Sequence, residues 1–197
     1  MLTRPCGPHA LLVEVDDAAS ARALAAWARE HGVAADEVVP AAATVLFDGV
    51  PDPAALVAGL ADWEPGAAPA AGEVVEVPVT YDGADLSFVA EAWGVGVDDV
   101  VAEHAATEFV AEFCGFAPGF SYLAGLPHHR AVPRLDTPRV RVPRGAVALA
   151  GHWCGVYPTA SPGGWRVLGT TDAVLWDERR DPPAMLPPGT RVRFVPR

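Results

Sequence analysis

Glycine and proline divide residues 109–197 into short apolar runs, and this spacing limits the possible fold more than any other feature of the chain. The runs are EFVAEFCGF, RVRVPRGAVALAG, WRVLGTT, AVLW and TRVRFVP. Many short strands with regular turn signals are typical of all-β barrels and sandwiches. The sequence therefore predicts a barrel or a sandwich for this part of the chain.

The first third of the chain has a different pattern, typical of a small α/β unit. The predicted elements are a strand at 10–15, a helix that Asp17 caps and that runs to about His31, strands at 37–40 and 43–47, and a helix that begins at Asp52-Pro53. The order β-α-β-β-α, with the strand EVVEVPV (73–79) following, predicts a ferredoxin-like split βαβ arrangement.

A stretch of Pro, Gly and Ala, EPGAAPAAG (64–72), is the best candidate for a linker. We place the domain boundary near residue 72. This gives an α/β domain at 1–72 and a second domain at 73–197.

Two short helices are predicted near the start of the second domain. Asp85 is expected to cap the first helix, which Gly94 ends, and the second helix covers 97–108 and carries His104. With the strands that follow, these elements make the predicted fold class α+β.

The chain contains no Lys, Asn, Gln or Ile, so all 14 basic residues are Arg. Without lysine there is no Walker A lysine, no Schiff-base nitrogen and no attachment point for biotin or lipoate. If ATP or biotin takes part in the chemistry, another chain must supply the groups that hold it.

The formal net charge is −11, and it is unevenly distributed. Residues 1–129 hold 3 Arg and 20 acidic residues, whereas residues 130–197 hold 11 Arg and 5 acidic residues. An acidic chain argues against nucleic-acid binding, because neutralising phosphates requires a basic face. The basic last third suits a small anion or an acidic partner surface, or it simply pairs with the acidic first part.

Three further features predict a cytoplasmic protein that does not bind membranes. No apolar stretch of 18 or more residues runs free of charge. The first residues, MLTRPCGPHALLVEVDD, lack the apolar core of a signal peptide. The three cysteines are far apart in sequence and are expected to be reduced thiols.

The segment GFAPGFSYLAGLP (115–127) interleaves Gly and Pro with aromatic residues. Such a rigid loop, which includes Phe116, Gly119 and Tyr122, can direct backbone N–H groups at a developing oxyanion or a carboxylate. The alternative is a packed surface loop whose aromatic side chains only fill the core.

The segment PRLDTPRVRVPRG (133–145) contains three Pro-Arg pairs, at Arg134, Arg139 and Arg144, together with Arg141. Proline restricts the backbone before each guanidinium, and Arg binds carboxylates and phosphates through two parallel hydrogen bonds. These residues predict an anion or partner site, or else an ordinary exposed basic strand.

The segment AGHWCGVYPTASPGGWR (150–166) places Ser161 on a Gly-rich turn, although no GxSxG elbow is present. His152 and Cys154 alone do not make a zinc site, so no metal is predicted. Among the six histidines, His104 is the best candidate for a proton carrier, although a hydrogen-bonded core histidine is the more common outcome.

These motifs resemble the KipI/PxpB family, also known as allophanate hydrolase subunit 1. The matching pieces are His104, GFAPGFSYL, the Pro-Arg pairs with VPRGAV, GVYP, SPGGWRVLGTT and LPPGTRVRF, in this order over about 73–197. The resemblance implies an α/β N-terminal domain followed by a cyclophilin-like β-barrel. It also implies the PxpB component of a bacterial ATP-dependent 5-oxoprolinase, which converts 5-oxo-L-proline to L-glutamate.

The partners implied by the resemblance are a KipA/PxpC-type subunit and a LamB/YcsF-type PxpA subunit, with ATP held mainly by a partner. No metal or covalent cofactor is expected on this chain. The predicted catalytic residues are His104, Arg139, Tyr122 and Ser161. The predicted substrate-binding residues are Arg134, Phe116, Gly119, Tyr157, Gly164 and Trp165.

Two other functions stay open at this point. A KipI-like protein could inhibit a sensor histidine kinase without any catalysis, and the Arg-rich strand would then contact protein. Alternatively, the chain is half of a biotin-dependent carboxyltransferase or of an allophanate hydrolase-like complex. The chain departs from the usual family pattern at Arg144 and Ala146, in place of Ala and Ser, and at His152-Trp153-Cys154, in place of Gly-Gln-Thr.

Overall fold

A computed structural model describes residues 1–61, 63–64, 66 and 74–197. The chain divides into two compact units, Met1–Ala70 and Ala71–Arg197. Most of the predicted linker and the predicted boundary near residue 72 lie outside the described residues. The domain limits proposed from the sequence therefore stay a prediction.

The first unit alternates strands and helices in nearly the predicted order. Its elements are β1 (Leu2–Pro5), β2 (Ala10–Glu14), α1 (Ala18–Glu30), β3 (Glu37–Pro40), β4 (Thr44–Asp48) and α2 (Pro53–Leu60). Both predicted caps are confirmed: Asp17 Oδ1 accepts a hydrogen bond of 2.7 Å from the Ser20 amide, and Asp52 Oδ1 accepts from the Ala54 amide at 3.0 Å.

The first unit's sheet has the order β1-β2-β4-β3, with every pair antiparallel. In the predicted ferredoxin-like arrangement, the strand EVVEVPV follows the second helix. That segment instead pairs within the second unit, and β1 occupies the position beside β2. The reason is that a strand's partner is chosen by long-range packing, which element order alone does not specify.

The second unit combines two helices with nine strands among the described residues. These elements are β5 (Val74–Val79), α3 (Leu86–Trp93), α4 (Val97–Ala106), β6 (Phe109–Cys114), β7 (Ser121–Ala124), β8 (Arg139–Val142), β9 (Ala146–Ala150), β10 (Trp153–Val156), β11 (Ser161–Gly163), β12 (Arg166–Thr170) and β13 (Arg191–Pro196). A 3-10 turn covers His128–Arg130. Gly94 ends α3 in the left-handed conformation, as predicted.

Seven strands of the second unit form a nearly closed barrel in the order β12-β9-β10-β7-β6-β13-β5. The two edges meet where Thr80 and Thr170 exchange backbone hydrogen bonds of 2.9 and 2.8 Å. The amide of Gly83 extends this contact by donating to Leu168 O at 3.0 Å. Strands β8 and β11 form a separate two-stranded sheet. The predicted α+β class and β-barrel are confirmed.

Two groups of buried side chains fill the second unit. The larger group packs α3 and α4 against the barrel and includes Val89, Phe109 and Phe194. The smaller group contains Phe120, Tyr157 and Trp165, together with Val142 of β8. In the described part of the chain, no helix is long and apolar enough to cross a membrane.

Candidate functional site

The ring of Phe120 is the centre of an aromatic cluster built from two of the predicted motifs. Its centroid lies 5.2 Å from Tyr122, 5.6 Å from Tyr157 and 5.3 Å from Trp165, each in an edge-to-face arrangement. A Cβ atom on Gly155 would lie 2.8 Å from the Phe120 ring, so the strand beneath the cluster needs glycine there. The structure thus brings together aromatic residues that are far apart in the sequence.

Phe116 is an exposed member of this cluster with an unusual backbone. Its φ angle is 67°, it is 61% exposed, and its ring lies 5.3 Å from Phe120 and 6.1 Å from Tyr157. A bulky residue in the left-handed region is uncommon, and such conformations concentrate at ligand-binding and active sites. The loop therefore presents an aromatic ring to solvent beside a buried tyrosine.

The hydroxyl of Tyr157 lies where polar and charged groups meet. Burial raises the pKa of Tyr157, and a hydrogen bond from the Trp165 backbone and the charges of Arg134 and Arg139 oppose that rise. A Cβ atom on Gly163 would come within 2.3 Å of the hydroxyl oxygen. We call the group formed by Phe116, Arg134, Arg139, Tyr157 and Trp165 the Tyr157 site.

The two arginines of the Tyr157 site differ in how they are held. Arg139 Nη2 donates to the Asp85 carboxylate at 3.0 Å, and Arg139 Nη1 donates to Trp165 O at 3.4 Å. Arg134 is exposed and has no carboxylate partner among the described residues. The site therefore offers one anchored guanidinium and one exposed guanidinium to an anion.

Ser161 begins β11, opposite Val142 of β8. Its Oγ is buried, and it is the single buried side-chain N or O atom without a hydrogen-bond partner in the described part of the chain. A buried hydroxyl without a partner costs free energy, and in a folded protein such a group calls for an explanation, such as a catalytic role or a bound water or ion. Ser161 is thus a group for which a bound ligand could supply the partner.

The two glycines among the predicted site residues lie at different places. Gly164 O accepts a hydrogen bond of 2.7 Å from the Leu135 amide, next to Trp165. Gly119 has a φ angle of 83°, and a Cβ atom there would lie 2.9 Å from Trp176. Gly119 therefore positions the loop against Trp176 rather than facing the aromatic cluster.

An open cleft of about 420 Å³ lies beside this loop. Its lining includes Pro118, Arg144, Pro158 and Trp176, the last of which is 37% exposed. Pro158 follows Tyr157 directly in the chain, but the cleft is not lined by any of the five residues of the Tyr157 site.

His104 lies elsewhere, in the larger core group. Its side chain is fully buried, with Nδ1 2.8 Å from Tyr81 Oη and Nε2 3.4 Å from Cys154 Sγ. Its ring stacks on Phe194 at 4.7 Å. Burial lowers the pKa of His104 to about 3.

These surroundings do not favour the proton-carrier role that the sequence predicts for His104. A general base works best with a pKa near the operating pH, and this imidazole is neutral far below pH 7. The contacts of its ring are with core residues, not with members of the Tyr157 site. The catalytic role of His104 stays a prediction, and its geometry is that of a structural histidine.

The chain departs from the usual family pattern at His152-Trp153-Cys154, and these residues contact both the core around His104 and the aromatic cluster around Phe120. Cys154 contacts His104, while the Trp153 ring lies 5.3 Å from Phe113 and 6.0 Å from Tyr122. Burial and the nearby His128 lower the pKa of His152. The departure therefore changes packing next to the aromatic cluster, without adding a charged group at neutral pH.

Sequence reasoning missed Asp85 as part of this region. Asp85 was expected to cap α3, and it does occupy that position, but its side chain makes no capping hydrogen bond. Instead its Oδ2 accepts from the Val167 amide at 2.7 Å, and the carboxylate faces Arg139. No local signal identifies this role, because both partners are more than 50 residues away in sequence.

The geometry suits recognition of a small anion with an apolar part. Two guanidinium groups and the Tyr157 hydroxyl offer hydrogen bonds, and the exposed Phe116 ring offers apolar surface. Arginine side chains bind both carboxylates and phosphates in this way.

The model of the family described as carboxyltransferase domain, subdomain C and D, matches residues 1–186. The chain therefore belongs to this family. The predicted resemblance to KipI/PxpB proteins is confirmed by the sequence relatives as well. The 5-oxoprolinase B subunit of Escherichia coli O157:H7 is 47% identical over 125 residues, which cover 62% of this chain and 57% of that protein. The chain thus spans little more than half the length of that relative.

Two solved structures have the same fold and detectable sequence similarity. The protein TTHA0988 is 34% identical with a TM-score of 0.79, covering 100% of this chain and 40% of that one. The conserved uncharacterized protein PH0987 from Pyrococcus horikoshii is 32% identical with a TM-score of 0.60, covering 100% of this chain and 97% of that one.

Proposed function

We propose that this chain is the PxpB component of a bacterial ATP-dependent 5-oxoprolinase, a cytoplasmic enzyme that hydrolyses 5-oxo-L-proline to L-glutamate. The observation that carries the proposal is the 47% identity to a 5-oxoprolinase B subunit, together with a site in the same barrel that suits a small anion. Because that relative is one subunit of an enzyme, we propose that this chain also works within a complex of several subunits. We propose a KipA/PxpC-type subunit and a LamB/YcsF-type PxpA subunit as the partners.

The substrate chemistry matches what the Tyr157 site offers. 5-Oxo-L-proline carries one carboxylate on a five-membered lactam ring. Arg134 and Arg139 bind the carboxylate, and the Phe116 and Trp165 rings pack against the lactam ring. The hydroxyls of Tyr157 and Ser161 hold the remaining polar atoms of the substrate.

The reaction adds water to the lactam carbonyl and breaks the C–N bond of the ring, so the nitrogen leaves as the amine of glutamate. An amide is a poor electrophile, and ATP bound by the complex would supply its activation: transfer of the γ-phosphoryl group to the amide oxygen would release ADP, and inorganic phosphate would leave after water has added and the C–N bond has broken. Because this chain has no lysine, we propose that a partner subunit makes most of the contacts that bind ATP. The residues of this chain bind and orient the substrate.

The proposal is tested by ATP-dependent release of glutamate from 5-oxoproline by the three mixed subunits, with each subunit omitted in turn. We expect glutamate only when all three are present. A complete complex that binds but releases no glutamate would overturn the proposed substrate.

Arg139 gives the variant that links this activity to the site. Arg139→Ala is expected to lower kcat/KM by about 100-fold, since a charge-assisted contact to substrate is lost. Arg193→Ala is the matched control, because Arg193 is an exposed arginine on strand β13. Equal activity of the two variants would remove Arg139 from the proposed site.

A further inference from the structure

Asp85 is a buried carboxylate that the proposed chemistry leaves unused. Only 5% of the residue is exposed, and it lies in the segment that closes the barrel against β12. Its own amide donates to Val167 O at 3.1 Å, and its Oδ2 accepts from the Val167 amide at 2.7 Å. This pair of contacts fixes the carboxylate relative to the barrel wall.

The Asp85 carboxylate also contacts two arginines. Arg139 Nη2 lies 3.0 Å from both carboxylate oxygens, and Arg166 Nη1 lies 3.7 Å from Oδ1. Arg166 has other anchors, because its Nε donates to Pro133 O at 3.0 Å and its guanidinium lies 3.6 Å over the Phe88 ring. The other hydrogen bond of Arg139 to a described residue is the long contact of 3.4 Å to Trp165 O.

We infer that Asp85 is a positioning residue for substrate binding, which acts by holding the Arg139 guanidinium in place next to the Trp165 backbone. This inference rests on the proposed function, since Arg139 is placed there as a carboxylate-binding group. An arginine fixed before binding loses less conformational freedom when the anion arrives. Asp85 thus contacts the barrel strand at Val167 and the Arg139 guanidinium at the same time, so the closed barrel also fixes the position of Arg139.

The inference predicts a specific kinetic change in the reconstituted complex. Asp85→Asn keeps the size of the side chain and an oxygen for the Val167 amide, but it removes the charge that holds Arg139. We expect KM for 5-oxoproline to rise about 5-fold with kcat nearly unchanged, because ordering a free arginine costs this much affinity. In an Arg139→Ala background, Asp85→Asn should leave KM unchanged, since the two residues act as one unit.

Asp82→Asn is the matched control. Asp82 lies on the same barrel-closing segment and accepts a hydrogen bond of 3.2 Å from Thr170 Oγ1, but it forms no ion pair with an arginine of the described residues. KM should stay unchanged in this variant. Additive effects of Asp85→Asn and Arg139→Ala, or an equal rise in KM for Asp82→Asn, would overturn the inference and leave Asp85 a purely structural residue.

A measurement on the isolated wild-type chain keeps the test valid even if Asp85→Asn does not fold. Nitrogen-15 relaxation of the arginine Nε–H groups should show a rigid Arg139, with an order parameter near 0.85, and a mobile Arg141, below about 0.6. The Arg139 signal is assigned from its loss in Arg139→Lys. An Arg139 as mobile as Arg141 would overturn the inference.

The two proposals fail in different ways. A rigid Arg139 in a complex that releases no glutamate overturns the proposed function. A mobile Arg139, or additive KM effects in a complex that does release glutamate, overturns the role of Asp85.

Discussion

His104 and Tyr157 are both buried polar rings in the same barrel, but the groups around them differ. Both ring nitrogens of His104 have partners inside the core, and the ring has no exposed surface. Tyr157 lies near Arg134, an exposed arginine without a carboxylate partner among the described residues, and its ring lies 6.1 Å from the exposed ring of Phe116. Both side chains have hydrogen-bond partners, but of the two rings Tyr157 is the one that lies beside an exposed aromatic ring and an exposed arginine, and this makes it the better candidate for ligand binding.

The largest effect that tests this comparison is the pH dependence of stability at His104. The imidazole is protonated below about pH 6.5 in the unfolded chain but only near pH 3 in the folded one. The unfolded state therefore binds the extra proton, and stability falls as the pH drops from about 6.5 towards 3. Between pH 6.5 and 5.0 the wild type should lose about 2 kcal/mol more than His104→Leu, measured by urea unfolding.

The His104 prediction has a clear opposite result. If His104→Leu loses as much stability as the wild type over this pH range, the imidazole is accessible to protons in the folded state. The prediction that His104 carries protons in catalysis would then regain support.

The next largest effect is expected from glycine substitutions next to Tyr157. In Gly163→Ala the new Cβ would lie 2.3 Å from the Tyr157 hydroxyl oxygen and 2.9 Å from its ring, so the ring must move. We expect a loss of about 2 kcal/mol in unfolding free energy and a clear fall in kcat/KM. Gly164→Ala is the control, because its Cβ would make ordinary contacts of 3.6–3.7 Å. Indistinguishable melting temperatures for the two variants would mean that Tyr157 is loosely packed.

A pair of tyrosine variants compares the two regions directly. Tyr157→Phe removes a hydroxyl from the candidate site and also the acceptor of the Trp165 backbone hydrogen bond, so it should lower kcat/KM about 10-fold and cost about 1 kcal/mol of stability. Tyr81→Phe removes the hydroxyl that lies 2.8 Å from His104 Nδ1 and should cost about 1 kcal/mol of stability while activity is kept. Activity assays of the complex and chemical unfolding of the isolated chain provide both readouts. If Tyr81→Phe lost activity and Tyr157→Phe kept it, the roles assigned to the two tyrosines would have to be exchanged.

The smallest effect is expected for two serines that differ in their hydrogen bonds. Ser121 Oγ donates to Leu186 O at 2.6 Å, so Ser121→Ala should lose about 1 kcal/mol. Ser161 Oγ has no partner among the described residues, so Ser161→Ala should leave stability unchanged or raise it slightly, while substrate affinity falls. Calorimetric melting of both variants measures the difference. A destabilised Ser161→Ala variant would show that the hydroxyl has a partner in solution and serves the fold.

Local sequence patterns determined the elements of this protein and some of its chemistry. Asp17 and Asp52 cap helices where the sequence places them, because a capping bond involves residues two or three positions apart. The lack of lysine restricts the chemistry of the chain whatever its fold. The Arg-rich and aromatic motifs also contain the residues of the candidate site, because these side chains suit anions and apolar rings.

Tertiary structure alone decided which of these residues meet. Strand β5 pairs with β13, and Thr80 with Thr170, across separations of about 90 residues or more. Asp85 looks like a helix cap in the sequence, but closure of the barrel turns its carboxylate towards Arg139. His104 looks like a catalytic group, but the core encloses it. Local patterns fix residue preferences within a few positions, whereas burial and charge pairing depend on partners that only the folded barrel brings together.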